Sequence, residues 1–315
     1  MRARQMSQSD FEGEMNHSKT EFDGYLMVDW SAANEPKDKE DSIWYCYYDR
    51  MDGAWTEKNN PKNPRTRREA IDGITSILYE TTKHNRTVLV GFDFPFGYPA
   101  GFSLALGWHG EFPWRALWNE LKEAITDDHK NRNNRFEVAA SFNLRISGQP
   151  FPFWGCPETV TSPWISKKKA RPHLAEFRVT DQRAKGAQPV WKLFGAGVAG
   201  GQALVGIPWL ARLRDDATLG PRSAVWPFET GLIQLPPRTE RKWLILYAEI
   251  FPAMFKAAVG PGEIKDEAQV RDLVQRLKAE DERGGLGEWF AGPSELSEND
   301  RRKIVGQEGW ILGVM

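Results

Sequence analysis

Four carboxylates stand where they could hold a hard cation. Asp93 follows the apolar run Val88-Leu89-Val90-Gly91-Phe92, which Pro95, Gly97 and Pro99 then stop abruptly. Asp29 ends a second run, Tyr25-Leu26-Met27-Val28, and a third, Trp243-Leu244-Ile245-Leu246-Tyr247-Ala248, carries Glu249. Asp266 opens a stretch with Val270, Leu273, Val274 and Leu277 at helical spacing, where helix capping is the plain alternative role. An acid at the carboxyl end of a buried strand costs desolvation unless something positive meets it. Mg²⁺ takes carboxylate and water oxygens, usually with one or two carboxylates per ion. Two such ions roughly 3.5–4 Å apart can activate a water and stabilise the leaving oxygen of a phosphodiester. Conversely, two bare carboxylates about 4 Å apart repel by ~4 kcal/mol at an effective dielectric of about 20. Converging acids therefore require a cation, a proton or an arginine.

Other residue types are consistent with an anionic substrate. Arg135, Arg145 and Arg178 offer planar forks suited to phosphate. The stretch Trp164-Ile165-Ser166-Lys167-Lys168-Lys169-Ala170-Arg171-Pro172-His173 could track a phosphate backbone and stack bases, with Lys168 and Arg171 as its contacts. A solvated loop is the plain reading of the same charges. Gly195 to Gly201 is glycine-dense ahead of a helix, where an anion could bind. It follows no convincing strand, so a hinge or tight packing is expected there. The histidines show no metal-ligand spacing. Cys46 and Cys156 are too few for a disulfide framework or a cysteine-based zinc site, so both read as structural and no disulfide-linked partner is expected.

These side chains need a scaffold. The Asp29 strand, Ser42 to Tyr48, and Ala54 to Glu57 read as an antiparallel meander, with Asp52-Gly53 turning between the last two. Arg65 to Lys83 then spaces Ala70, Ile71, Ile74, Ile77 and Leu78 as an amphipathic helix. A helix in that place crosses over and sets the Asp93 strand parallel beside the Asp29 strand. From about 98 to 195 the pattern loosens into an insertion capping the sheet, with one helix from Trp114 to Ile125. A further helix starts near Gly200 and runs to about Leu213, although Pro208 should kink it or end it early. Val225 to Phe228 reads as a short edge strand, Ser297 to Val305 as a helix, and Trp310 to Val314 as packing for the terminus.

The chain has 315 residues, a formal net charge of −1 and 40% hydrophobic residues, which describes an ordinary soluble globular protein, and the order of its strands and helix opens an α/β fold. Near-neutral charge gives no global case for nucleic-acid binding, so any such case rests on local patches. No apolar run approaches the roughly 20 residues of a membrane helix. The polar stretch to about Asp23 lacks the apolar core of a secretory signal. We therefore expect a disordered tail over 1–23, one domain over 24–315, a cytoplasmic location and no membrane partner.

The order of elements resembles the ribonuclease H-like fold. More narrowly, the chain is similar to the family known as domain of unknown function 429, predicted to be ribonuclease H-like nucleases. The matching residues are Val28-Asp29-Trp30-Ser31, Gly91-Phe92-Asp93-Phe94-Pro95-Phe96-Gly97, Ala248-Glu249-Ile250-Phe251-Pro252 and Lys265-Asp266. The resemblance spans Tyr25 to Val314. It implies a mixed sheet flanked by helices and carrying a large irregular insertion. It also implies Asp29, Asp93, Glu249 and Asp266 as metal-ligating catalytic residues, Mg²⁺ or Mn²⁺ as cofactor, and a nucleic acid or nucleotide-like substrate. The family's last motif is an Asp-containing helix rich in alanine, whereas this helix has few, so Asp272 and Asp281 stand as alternatives to Asp266. The related actin-like group binds nucleotide through glycine-rich loops, and Asp29-Trp30-Ser31-Ala32-Ala33 contains no glycine. Proteins of this look are also labelled molybdenum-cofactor guanylylation factors. That supplies a second reading, a non-catalytic nucleotide- or cofactor-binding protein in molybdopterin-guanine dinucleotide biosynthesis. No Gly-x-x-x-x-Gly-Lys phosphate loop accompanies it.

Overall fold

The computed structural model describes residues 20–53, 59–169, 173–195 and 197–315. Five short apolar runs pair into one mixed sheet: β1 (Gly24–Asp29), β2 (Trp44–Asp49), β3 (Val88–Phe92), β4 (Ser223–Val225) and β5 (Ile245–Glu249). Their order is β2-β1-β3-β5-β4. β2 runs antiparallel to β1, and β3, β5 and β4 continue parallel to β1. Sheets covered on both faces read as continuous apolar runs, and the strand period of two assigns alternate residues to each face. Leu26, Val28, Val90, Phe92, Ile245 and Tyr247 enter one buried cluster; Tyr25, Met27, Leu89, Leu246 and Ala248 enter the other.

Among the described residues, four of the longer helices pack on the first face. α1 (Arg67–Lys83) is started by Thr66, whose hydroxyl accepts the Glu69 amide, and it buries Ala70, Ile71, Ile74 and Leu78. It crosses from the β1–β2 hairpin to β3, as its spacing predicts. α2 (Pro113–Ala124), α3 (Arg135–Ser147) and α4 (Ala199–Asp215) complete that layer. The second face is covered by α5 (Lys265–Glu282), by Leu286, Phe290, Leu296 and Ile304, and by the buried Trp310–Val314 segment, while α6 (Glu298–Lys303) leads into Ile304 without burying a residue of its own.

Several expectations meet a different outcome. The strand expected over Ala54–Glu57 lies outside the described residues. The chain is back beside β2 at Lys62, which exchanges two backbone hydrogen bonds with Tyr45 at 3.0 and 2.8 Å. Pro208 does not end its helix, which continues to Asp215. Proline inside a helix costs roughly 3 kcal/mol, and α4 offsets this by burying almost every residue from Gly200 to Leu213. Gly206 is needed in the same stretch, because a Cβ there would stand 2.5 Å from the Phe94 ring. The 98–195 region holds more helix than its composition suggests. α3 was hidden among arginines and asparagines, yet Phe136, Ala139, Ala140 and Asn143 make one buried face. Tyr98, Phe102, Trp118, Phe153 and Trp191 join the cluster of the sheet itself. Asn143 fastens the region, donating to Phe153 O and Trp164 O and accepting the Phe153 amide.

The packed body begins ahead of the expected boundary at Gly24. Phe22 is fully buried, and Asp281 near the end of α5 accepts the Glu21 and Phe22 amides and the Tyr25 hydroxyl. Cys46 and Cys156 are buried free thiols. Among the described residues no helix is long and apolar enough to cross a membrane.

Candidate functional site

Parallel pairing puts Val28 of β1 opposite Phe92 of β3, so Asp29 and Asp93 are the next residues along on neighbouring strands. Their carboxyls are hydrogen bonded to each other. The strand ends are stitched on both sides of the pair. The Asp93 amide donates to Val28 O at 3.2 Å, and the Trp30 amide donates to Asp93 Oδ1 at 2.6 Å. Burial pushes Asp29 well above the ordinary carboxylate range, and the charge of Asp93 adds to that. Burial likewise raises Asp93 to about 7, against the lowering effect of its hydrogen bonds from Asp29 and Trp30. Two such buried carboxyls coexist at low cost only with a proton or a cation between them.

Asp266 joins them from the other direction. It sits in the first turn of α5, and its charge raises both Asp29 and Asp93. It does not cap its own helix, since Ile264 is the N-cap and no side chain serves there. Instead its Oδ2 accepts the Asp41 amide at 3.0 Å, holding the loop between β1 and β2. Asp29 and Asp266 line a cleft of about 590 Å³ with Lys37, Asp41, Arg135 and Gln202. Asp93 lines an adjoining, more apolar chamber of about 500 Å³ with Pro95, Ile250 and Phe251. Gly197 and Gln202, at the start of α4, border both spaces. Gln202 is fixed there by donating to Trp30 O at 2.5 Å.

Glu249, expected as a third ligand, lines the same chamber as Asp93 together with Arg178 and Asp181, but its carboxylate is engaged by the arginine. β5 pairs Glu249 with Phe92, one row back from Asp93. Its Oε1 and Oε2 take a bidentate pair from Arg178 at 2.6 and 2.7 Å, and Oε2 also accepts the Phe96 amide at 3.0 Å. Arg178 is likewise spent. Its remaining N–H groups go to Asp181 Oδ1, Asp181 Oδ2 and Glu308 O, which uses all five donors of a guanidinium. Arg178 is therefore a buried structural cation rather than an open phosphate clamp. Among the described residues no three His, Cys, Asp or Glu side chains are grouped closely enough to hold a metal ion.

The other candidates divide sharply. Arg135 is buried in the wall of the Asp29 cleft. Arg145 lies outside it, exposed and paired with Glu120 at 2.5 Å. Lys168 is exposed and lines neither space, and Arg171 lies outside the described residues. Asp272 pairs with Arg271 at 2.6 Å, and Asp281 anchors the start of the packed chain. On a helix rising 1.5 Å per residue these two lie about 9 and 22 Å beyond Asp266, which removes both as substitutes. The glycine-dense stretch shows the tight packing expected of it: a Cβ on Gly200 would stand 2.0 Å from Val190 O.

Sequence reasoning passed over Arg67, which frames the site. This fully buried side chain donates to Ser31 O and Ala33 O at 2.9 and 2.8 Å, fixing the loop after Asp29. Asp127 neutralises it through a bidentate pair at 2.6 and 2.7 Å. No pattern marks Arg67 in the sequence, because it falls at the start of a helix amid charged neighbours. No protein-family model, curated protein or solved structure matches the chain.

Proposed function

We propose that the protein is a divalent-metal-dependent phosphodiester hydrolase of ribonuclease H-like fold, acting on nucleic acid or a nucleotide-like substrate. The observation that carries this reading is the Asp29–Asp93 pair, two carboxyls bonded at the tips of adjacent parallel strands beside an open cleft. Antiparallel β2 and β1 followed by parallel β3 and β5, with α1 crossing between them, support the fold assignment.

The donor set suits Mg²⁺ or Mn²⁺. Two carboxylates are the usual protein contribution to such an ion, and the pair in its bare form needs a proton to coexist. Asp29 and Asp93 would hold the cation, with the charge of Asp266 adding attraction. The cation would supply Lewis-acid activation of a water and stabilisation of the leaving oxygen. The chain's own groups do the positioning. The Trp30 amide orients Asp93, Arg67 holds the Ser31–Ala33 backbone, and Gln202 ties the start of α4 to Trp30. Purified protein should cleave a single-stranded, duplex or hybrid substrate with Mn²⁺ and lose that activity in Asp93→Asn. Metal-dependent cleavage that survives both Asp29→Asn and Asp93→Asn would remove the mechanism.

A second reading, a nucleotide- or cofactor-binding protein without chemistry, is favoured by one feature. The chamber of about 500 Å³ beside Asp93, walled by Pro95, Ile250 and Phe251, suits a compact organic group. Thermal-shift screening separates the two. A melting temperature raised by Mg²⁺ alone supports the hydrolase, and one raised only by a nucleotide or pterin supports the binder.

A further inference from the structure

Among the described residues three arginines are buried: Arg67, Arg135 and Arg178. Burying a guanidinium is costly unless a counter-charge accompanies it. Arg67 has Asp127, and Arg178 has Glu249 and Asp181. Arg135 has no carboxylate partner among the described residues. Its Nη1 donates to the neutral amide oxygens of Asn34 and Asn133 at 3.0 and 2.9 Å, and its face covers the Phe136 ring. Its Nε is buried with no hydrogen-bond acceptor. Burial lowers its pKa to about 10, so the side chain keeps its charge at neutral pH.

Arg135 lies beside a second source of positive potential. Arg135 lines the Asp29 cleft together with Gly197, Val198 and Gln202, the lead-in and first turn of the 17-residue helix α4. Its Nε is 3.7 Å from where a Cβ on Gly201 would stand. The first amides of a helix lack intrahelical acceptors, and the helix dipole favours an anion beside them. The Gly200 amide is used by Lys192 O, whereas the Gly201 amide has no acceptor among the described residues. Arginine fork and helix terminus together form an oxyanion cradle in the wall of a cleft whose other wall is acidic.

We infer that this cradle binds the phosphate group of the substrate, seating a tetrahedral oxyanion between Arg135 and the first turn of α4, in the cleft lined by Asp29. The inference rests on the phosphoester reading above for the identity of the anion, but its test needs neither metal nor turnover. Inorganic phosphate is titrated into the metal-free full chain in the presence of chelator, with acetate at matched ionic strength as the comparison. Glycine-selective isotope labelling lets the Gly201 amide resonance report directly. We expect a saturable shift of that resonance with phosphate and not with acetate. Arg135→Gln should weaken phosphate binding roughly tenfold or more. Arg145→Gln, exposed and remote from the cleft, should leave it unchanged.

Absence of a saturable shift would overturn the inference, as would equal phosphate affinity in Arg135→Gln. An equal response to acetate would also overturn it, by making the cradle a carboxylate site. If Arg135→Gln does not fold, the wild-type titration decides alone. Phosphate binding without metal-dependent cleavage would sink the hydrolase reading only. Cleavage without phosphate binding would sink this inference only.

Discussion

The backbone amide of Trp30 donates to Asp93 Oδ1 at 2.6 Å, so the residue following one strand's acid orients the acid of the next strand. Asp29 and Asp93 are thus held by the sheet itself, not by a mobile loop. Sites built on rigid elements keep their geometry without further support. The pair's proximity, which no sequence can display, follows from parallel register alone.

Replacing Asp93 by Asn should separate stability from function. The variant keeps the shape and accepts the Trp30 amide through its carbonyl, while removing half of the like-charged pair. We expect cation affinity to fall on the order of 100-fold, with the melting temperature in chelator equal to or above that of wild type. Calorimetric Mn²⁺ titration beside thermal melting checks both.

The pair also sets a pH dependence. Asp93 is raised to about 7 in the folded protein, against roughly 3.9 in an unfolded chain. Between these values the folded state binds more protons, so the contribution of the pair to stability falls as pH rises from about 4 to 7. Other carboxylates titrate with the opposite sign, so the quantity to follow is wild type minus Asp93→Asn. In chelator that difference should become less favourable to wild type across the window, and Mg²⁺ should reverse the trend. A difference that stays flat in chelator would show that the carboxyls are not coupled.

Glu249 should behave as a structural acid. Arg178→Met strands Glu249 and Asp181 without their cation, and breaking a buried pair costs about 3–5 kcal/mol. Glu249→Gln should lose stability in the same direction, yet keep the cation affinity of wild type. Denaturant unfolding measures the first effect. Cation affinity that collapses in Glu249→Gln would restore Glu249 as a ligand.

Asp281 gives a contrasting case on the same helix as Asp266. Asp281→Asn weakens acceptors used by the Glu21 and Phe22 amides and the Tyr25 hydroxyl. A loss of about 1–3 kcal/mol follows from leaving such groups poorly paired. Mn²⁺-dependent cleavage should be unchanged per folded molecule. Limited proteolysis should register earlier cutting near Phe22.

Strands β1, β3 and β5 and most helices were legible because both faces of the sheet are buried, which leaves unbroken apolar runs at Tyr25, Val88 and Ile245; the edge strand expected over Val225–Phe228 instead spans Ser223–Val225, the chain turning at Trp226. Asp29, Asp93 and Asp266 were legible for the same reason, as acids placed at the ends or starts of those runs. The engagement of Glu249 by Arg178 was not legible, because it depends on a partner 71 residues away that register and the path of the insertion bring beside β5. α3 was missed because its buried apolar residues, Phe136, Val138, Ala139, Ala140 and Phe142, are diluted by polar neighbours. Arg135 and Arg178 look alike in sequence. Only the company each keeps, Asn34 and Asn133 for one and Glu249 and Asp181 for the other, tells an open cation from a spent one.

Gly206 rests on the Phe94 ring with no room for a Cβ, and Phe94 directly follows Asp93. The separation between α4 and the acidic strand tips is therefore one aromatic ring thick, like a shim between two plates. The helix that carries Gln202 and the oxyanion cradle is seated on the same stretch of chain that carries the carboxylate. Thickness at this contact, not the length of any loop, sets how closely the helix carrying Gln202 approaches the chain after Asp93.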